Sequence, residues 1–201
     1  MKQLVLYLHG KGGTAAEADH YRPLFPDSDV IGFDYQSQTP WEAQTEFSQF
    51  FDTHRAGYDS IILIANSIGA FFALHALADK PFAQSFFISP VVDMEALIQN
   101  MMRWANVTEE ELRVRQEIPT DFGETLSWDY LRFVREHPIA WHTPAHILYG
   151  EKDNLTSCET ISMFANRIGA PLTVLKGGEH WFHTEAQMQF LDAWIRNVDS
   201  L

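Results

Sequence analysis

Ser67, Asp153 and His180 are the residues of this chain whose types and spacing could together cleave an acyl bond. Ser67 closes the apolar run Ile61-Ile62-Leu63-Ile64-Ala65-Asn66 and is followed at once by Ile68, Gly69 and Ala70. A β-branched run that stops on a serine among small residues, then turns amphipathic, describes a strand, a tight turn and a helix with the hydroxyl at the apex. There the hydroxyl can meet a base on one side and a substrate carbonyl on the other. It is a poor nucleophile until a base takes its proton. An imidazole, titrating near neutrality, can accept that proton and return it to a leaving group. A carboxylate behind the imidazole fixes its tautomer and stabilises the imidazolium. The developing oxyanion needs donors already aimed at it, and backbone N–H groups of a Gly-rich turn can supply them.

The elements that must position these groups alternate along the chain. Strands are expected at Leu4–Leu8, Val30–Asp34, Ser60–Ala65, Ser85–Ser89, His146–Tyr149 and Leu172–Leu175. Between them fall a short helix at Thr14–Asp19, with Thr14 and Glu17 spaced as a capping box, and a helix opened by Pro40 with Thr39 as its cap. Others are expected at Ile68–Ala78, about Cys158–Ile168 and Thr184–Asn197. Strands apolar on both faces, alternating with helices, indicate a parallel sheet covered on both sides. From Asp93 to His142 roughly fifty helix-prone residues replace a short crossover. Helices at Met94–Trp104, Thr108–Gln116 and Ser127–Glu136 are expected there, forming a lid over the carboxyl end of the sheet. The expectation is one domain over residues 1–201 with a helical cap insertion at 93–142.

Ligands of open parallel sheets bind beyond the carboxyl ends of the strands. The first strand ends in His9-Gly10-Lys11-Gly12-Gly13, the second in Asp34-Tyr35, the third in Ser67 and the fourth in Ser89-Pro90. The fifth ends in Gly150-Glu151-Lys152-Asp153 and the sixth in Lys176-Gly177-Gly178-Glu179-His180. A serine, an acid and a histidine thus occupy equivalent positions.

With these residues in view, the chain resembles a small α/β-hydrolase over nearly its whole length. The likeness rests on His9-Gly10-Lys11-Gly12-Gly13, Ala65-Asn66-Ser67-Ile68-Gly69, Tyr149-Gly150-Glu151-Lys152-Asp153 and Gly177-Gly178-Glu179-His180-Trp181-Phe182. It implies a minimal six-stranded, all-parallel α/β-hydrolase fold, without the two antiparallel strands that usually open it. It also implies Ser67 as nucleophile, Asp153 as acid and His180 as base, with oxyanion donors from the backbone N–H of Ile68 and Lys11. Ala65 stands where the G-x-S-x-G motif has its first glycine.

Glu151 is a competing acid, and His183 a competing base; the motif spacing favours Asp153 and His180. His183 with Glu179 resembles half a metal site, but a third ligand at matching spacing is absent, so no metal is expected. His9 is expected to tie down the Gly-rich loop. The single cysteine, Cys158, excludes an internal disulfide, fits a reducing compartment and is expected as a buried or half-buried filler. Trp104, Phe122, Trp128, Tyr130, Phe133 and Trp141 could line an acyl pocket or fasten the insertion to the sheet.

A formal charge of −13 argues against nucleic acid or an anionic membrane surface as partner. The N-terminal residues read as a buried strand rather than a signal peptide, and no stretch reaches membrane-spanning length. A cytoplasmic enzyme acting on a small-molecule substrate is expected, with no cofactor, and the sequence does not address its oligomeric state. The expected activity is a serine hydrolase cleaving a carboxylic ester, thioester or amide of a small apolar substrate. The alternatives are an acyltransferase using the same triad and a non-catalytic binding protein on the same fold.

Overall fold

A computed structural model describes residues 2–199. Its strands and helices, in chain order, are β1 (Gln3–Leu8), β2 (Ser28–Phe33), α1 (Pro40–His54), β3 (Ser60–Asn66), α2 (Ser67–Ala76) and β4 (Gln84–Ile88). There follow α3 (Met94–Trp104), α4 (Glu109–Arg115), β5 (Glu117–Pro119), β6 (Thr125–Ser127), α5 (Trp128–Glu136), β7 (Ala145–Gly150), α6 (Cys158–Ile168), β8 (Leu172–Leu175) and α7 (Glu185–Asp199). Two 3₁₀ turns, Ala15–His20 and Arg22–Leu24, join β1 to β2.

The chain divides into two compact units, Met1–Val92 with Ala140–Leu201, and Asp93–Ile139. The first holds the six-stranded sheet found among the described residues, in the order β2-β1-β3-β4-β7-β8, with every neighbouring pair parallel. Parallel pairing needs crossover connections, so both faces are covered and both must be apolar. One face presents Val5, Tyr7, Ile62, Ile64, Phe86, Ile88 and Leu148, packed with Leu191, Trp194 and Ile195 of α7 and with Tyr21 and Phe25. By strand alternation Leu4, Leu6, Leu8, Leu63, Ala65, Phe87 and Ile147 line the other face, all buried. Each such Leu, Ile or Phe contributes about 1.5–3 kcal/mol of burial. Trp141, one of the aromatics expected around the insertion, belongs to this unit, buried against Phe82 and Phe87.

The helix starts follow their caps. Thr39 and Thr108 form capping boxes with Glu42 and Glu111, and Ser127 and Ser157 accept from the N–H of Tyr130 and Thr160. The expected Thr14–Asp19 helix is instead a 3₁₀ turn carrying the Thr14–Glu17 capping box. Cys158 is a correction: it is exposed, not a filler, because it opens the amphipathic α6 on the solvent side.

The second unit consists of α3, α4, α5 and a two-stranded antiparallel ribbon, β5 with β6. Arg135 on α5 holds it together, reaching Glu95 of α3 at 2.7 Å and Glu109 of α4 at 2.7 and 2.9 Å. Among the described residues, no helix is long and apolar enough to cross a membrane.

Candidate active site

β3 delivers Ser67 to the carboxyl edge of the sheet, and α2 begins on that same residue. The reversal from strand to helix within one residue forces Ser67 to φ 52°, a left-handed conformation costing a non-glycine residue about 1–3 kcal/mol. The helix can start so close to the strand only because residue 69 has no side chain. A Cβ on Gly69 would lie inside contact distance of the His9 carbonyl oxygen and 3.1 Å from that of Leu8. Ala65, by contrast, is a wholly buried strand residue that its neighbours accommodate.

Ser67 Oγ lies 2.8 Å from Nε2 of His180, and Nδ1 of the same ring lies 2.6 Å from Asp153 Oδ2. Residues far apart in sequence thus form one hydrogen-bonded line. The Asp153 side chain has no solvent exposure, and its second oxygen, Oδ1, accepts the N–H groups of Leu155 at 2.8 Å and Thr156 at 3.0 Å. A carboxylate so held can only accept from His180, so the ring proton sits on Nδ1 and Nε2 is left to accept from Ser67.

The loops that carry the acid and the base are fastened to each other. Lys152 donates its N–H to Gly178 O at 2.7 Å, and Glu151 donates its N–H to Leu175 O at 3.0 Å. Gly150 is required by this contact, since a Cβ there would run into the Glu179 carbonyl oxygen and Gly178. Glu151, the competing acid, instead accepts the Gly177 N–H at 2.8 Å. His183, the competing base, donates from Nδ1 to Trp181 O at 2.8 Å and stacks on the Trp181 ring just before α7. Tyr149, whose hydroxyl burial pushes up to about 12, donates to Thr156 O and steadies the turn after Asp153.

Ile68 is the second residue of α2, so its N–H has no acceptor within the helix, and Asn66 at the N-cap makes no side-chain capping bond. That helix end favours negative charge. Across from it, Gly10 to Gly13 form a turn closed by Gly13 N–H to Gly10 O at 3.1 Å, with Gly12 at φ 75°. A Cβ on Gly10 would stand 3.1 Å from Ser67 Cβ, which places this turn, and Lys11 within it, beside the serine. His9 Nδ1 donates to Gly10 O at 2.8 Å, its ring stacks on Tyr35, and the Tyr35 hydroxyl donates to His9 O at 2.9 Å.

Solved structures share this architecture. Est1E from Butyrivibrio proteoclasticus matches with a TM-score of 0.75 at 13% identity, over 99% of this chain and 86% of its own. Alpha/beta hydrolase domain-containing protein 10 from mouse gives 0.73 at 16% identity, over 99% and 89%. A putative hydrolase from Agrobacterium vitis S4 gives 0.75 at 17% identity, over 97% and 87%. The chain has the α/β-hydrolase fold. No protein-family model matches it, and no curated protein matches its sequence. In the α/β-hydrolase fold the nucleophile, acid and base follow one another in the chain order serine, acid, histidine, which is the order of Ser67, Asp153 and His180.

Two features of the edge were not foreseen from sequence. Ser89, just past β4, is fully buried at φ 42°, and Val91 two residues on donates its N–H to Ser67 O at 3.2 Å. Tyr7 donates from its buried hydroxyl to Glu17 Oε2 beneath the Gly-rich turn. The Thr14–Glu17 spacing was the only sequence signal for the second, and it speaks of a cap alone.

Proposed function

We propose that this protein is a serine hydrolase that cleaves a carboxylic ester, thioester or amide of a small apolar substrate through an acyl-enzyme on Ser67. The observation that carries the reading is the unbroken line from Ser67 Oγ through both nitrogens of His180 to the buried Asp153.

As Ser67 attacks the carbonyl carbon, its proton passes to His180 Nε2, and Asp153 stabilises the imidazolium through Nδ1. The carbonyl oxygen becomes an oxyanion and rests on the N–H groups of Ile68 and Lys11. Collapse breaks the bond to the leaving group, which takes the proton from Nε2 and departs. Water, deprotonated by the same nitrogen, then attacks the acyl-enzyme, and Ser67 recovers its proton as the acid leaves. No step calls on a cofactor. The fold is also that of E-2-(acetamidomethylene)succinate hydrolase, matched at a TM-score of 0.65 and 19% identity, which supports hydrolysis as the class of reaction.

Incubation with a fluorophosphonate probe, followed by peptide mass spectrometry, is expected to find the label on Ser67. Turnover of short p-nitrophenyl esters is expected to vanish in Ser67→Ala. Absence of both labelling and turnover in the unaltered protein overturns the reading and leaves the fold as a binding scaffold.

A further inference from the structure

The proposed chemistry makes no use of the Tyr7 hydroxyl, although it is buried. Tyr7 lies in the middle of the sheet with 1% of its surface exposed. Its hydroxyl donates to Glu17 Oε2, while Glu17 Oε1 accepts the Thr14 N–H at 3.2 Å. Thr14 is the residue directly after the Gly10–Gly13 turn. The carboxylate fits there because residue 13 is a glycine, where a Cβ would overlap Glu17 Oε1 and stand 2.9 Å from His9 Cβ. Tyr7 is one residue before Leu8, which lies in register with Ala65 of β3, two residues ahead of Ser67. Burial holds the Tyr7 hydroxyl well above the ordinary phenol range, so it remains a protonated donor at every working pH.

One hydroxyl on β1 therefore reaches the turn that carries Lys11 through Glu17 and Thr14, and β1 lies in register beside the strand that ends in the elbow. We propose that Tyr7 is a positioning residue that holds the turn carrying the Lys11 donor, through Glu17 and Thr14, at a fixed place against the sheet that carries Ser67. This rests on the serine-hydrolase reading. The physical point is that the Ile68 donor is set by the start of α2, whereas the Lys11 donor belongs to a turn outside any helix or strand. Lys11 sits in an exposed turn, and a donor displaced by about 1 Å loses much of its effect on the transition state.

The test compares Tyr7→Phe, Glu17→Ala and Glu17→Gln with the unaltered protein. The readouts are kcat and KM on a p-nitrophenyl ester and the inhibition constant of an arylboronic acid, whose tetrahedral Ser67 adduct places an oxygen between the two donors. Tyr7→Phe and Glu17→Ala are each expected to lower kcat by about 10- to 100-fold with KM changed less than about twofold, because oxyanion donors act on the transition state. The boronate constant is expected to rise by the same factor as kcat falls. Glu17→Gln, whose oxygen can accept the Thr14 N–H while its NH₂ donates to the Tyr7 hydroxyl oxygen, is expected to recover most of the loss. The exposed Glu17 serves where Tyr7→Phe folds poorly. Wild-type kcat in a folded Glu17→Ala variant, or a rise in KM with kcat unchanged, overturns the proposal while the hydrolase reading stands. An unaltered protein that neither labels at Ser67 nor turns over brings down both.

Discussion

Replacing Asp153 by asparagine tests the orientation of the whole line, because asparagine has the same shape and differs only in its donors. Asp153 Oδ1 receives two backbone N–H groups, from Leu155 and Thr156, and the side chain is wholly buried. Turning an amide nitrogen toward those donors would orphan both, at about 1–3 kcal/mol each. The asparagine oxygen must therefore stay with Leu155 and Thr156, and its NH₂ must face His180 Nδ1. That nitrogen can then only accept, so the ring proton moves to Nε2, where it points at Ser67 and blocks proton uptake. Restoring the productive tautomer means opposing two donors across a separation of 2.6 Å. A wrong-tautomer imidazole costs about 10⁴ in kcat, or about 5 kcal/mol of transition-state stabilisation. Steady-state hydrolysis of a p-nitrophenyl ester measures it, alongside thermal unfolding. Both backbone bonds to the turn survive in Asp153→Asn, so the melting temperature is expected to fall only a few degrees. A folded variant that keeps kcat within tenfold of the unaltered protein refutes the reasoning, since His180 would then take its tautomer from elsewhere.

Gly69→Ala is expected to push the His9 carbonyl and the turn after it away from the elbow, lowering kcat by about 10²-fold and stability by about 1–3 kcal/mol, measured by ester hydrolysis and urea unfolding; near-native values for both refute the close approach. Burial holds the His146 imidazole below its ordinary range. The unfolded chain therefore takes up a proton near pH 6.5 that the folded one resists, and the stability this residue contributes at neutral pH is lost as pH falls through that range. His146→Gln is expected to flatten the fall in urea midpoint between about pH 7.5 and about pH 5.5, and parallel curves for the two proteins refute this.

Much of this architecture was legible because parallel strands are apolar on both faces, and such runs stand out against their helices. β8 falls at Leu172–Leu175 as expected, and the other strands differ by a residue or two at their ends. The Thr39 cap made the start of α1 legible in the same way. The β5–β6 ribbon was not legible. Its strands are three residues long, one of them ends in Pro119, and its turn is held by Thr120 and Glu124 with Gly123 at φ 85°. Three residues give no periodicity to read. Nor could local pattern show that the Glu17 carboxylate turns under the loop to Tyr7, because that contact depends on how β1 and the 3₁₀ turn pack, not on their spacing.

The two small residues flanking the serine show what a sequence motif compresses. Ala65 and Gly69 look equivalent as letters, each two positions from Ser67, and a missing glycine at the first weakens the match. The structure separates them. Residue 65 is a strand residue in ordinary extended backbone whose Cβ enters a packed core, so a methyl group fits and contributes its share of burial. Residue 69 meets the carbonyls of Leu8 and His9, backbone against backbone, where no rotamer change can make room. The glycine after the serine is thus demanded by the distance between α2 and β1, which also sets where the Gly-rich turn begins. The one before it is a preference for small volume. A chain can depart from the motif at the first position and keep the geometry that its chemistry needs.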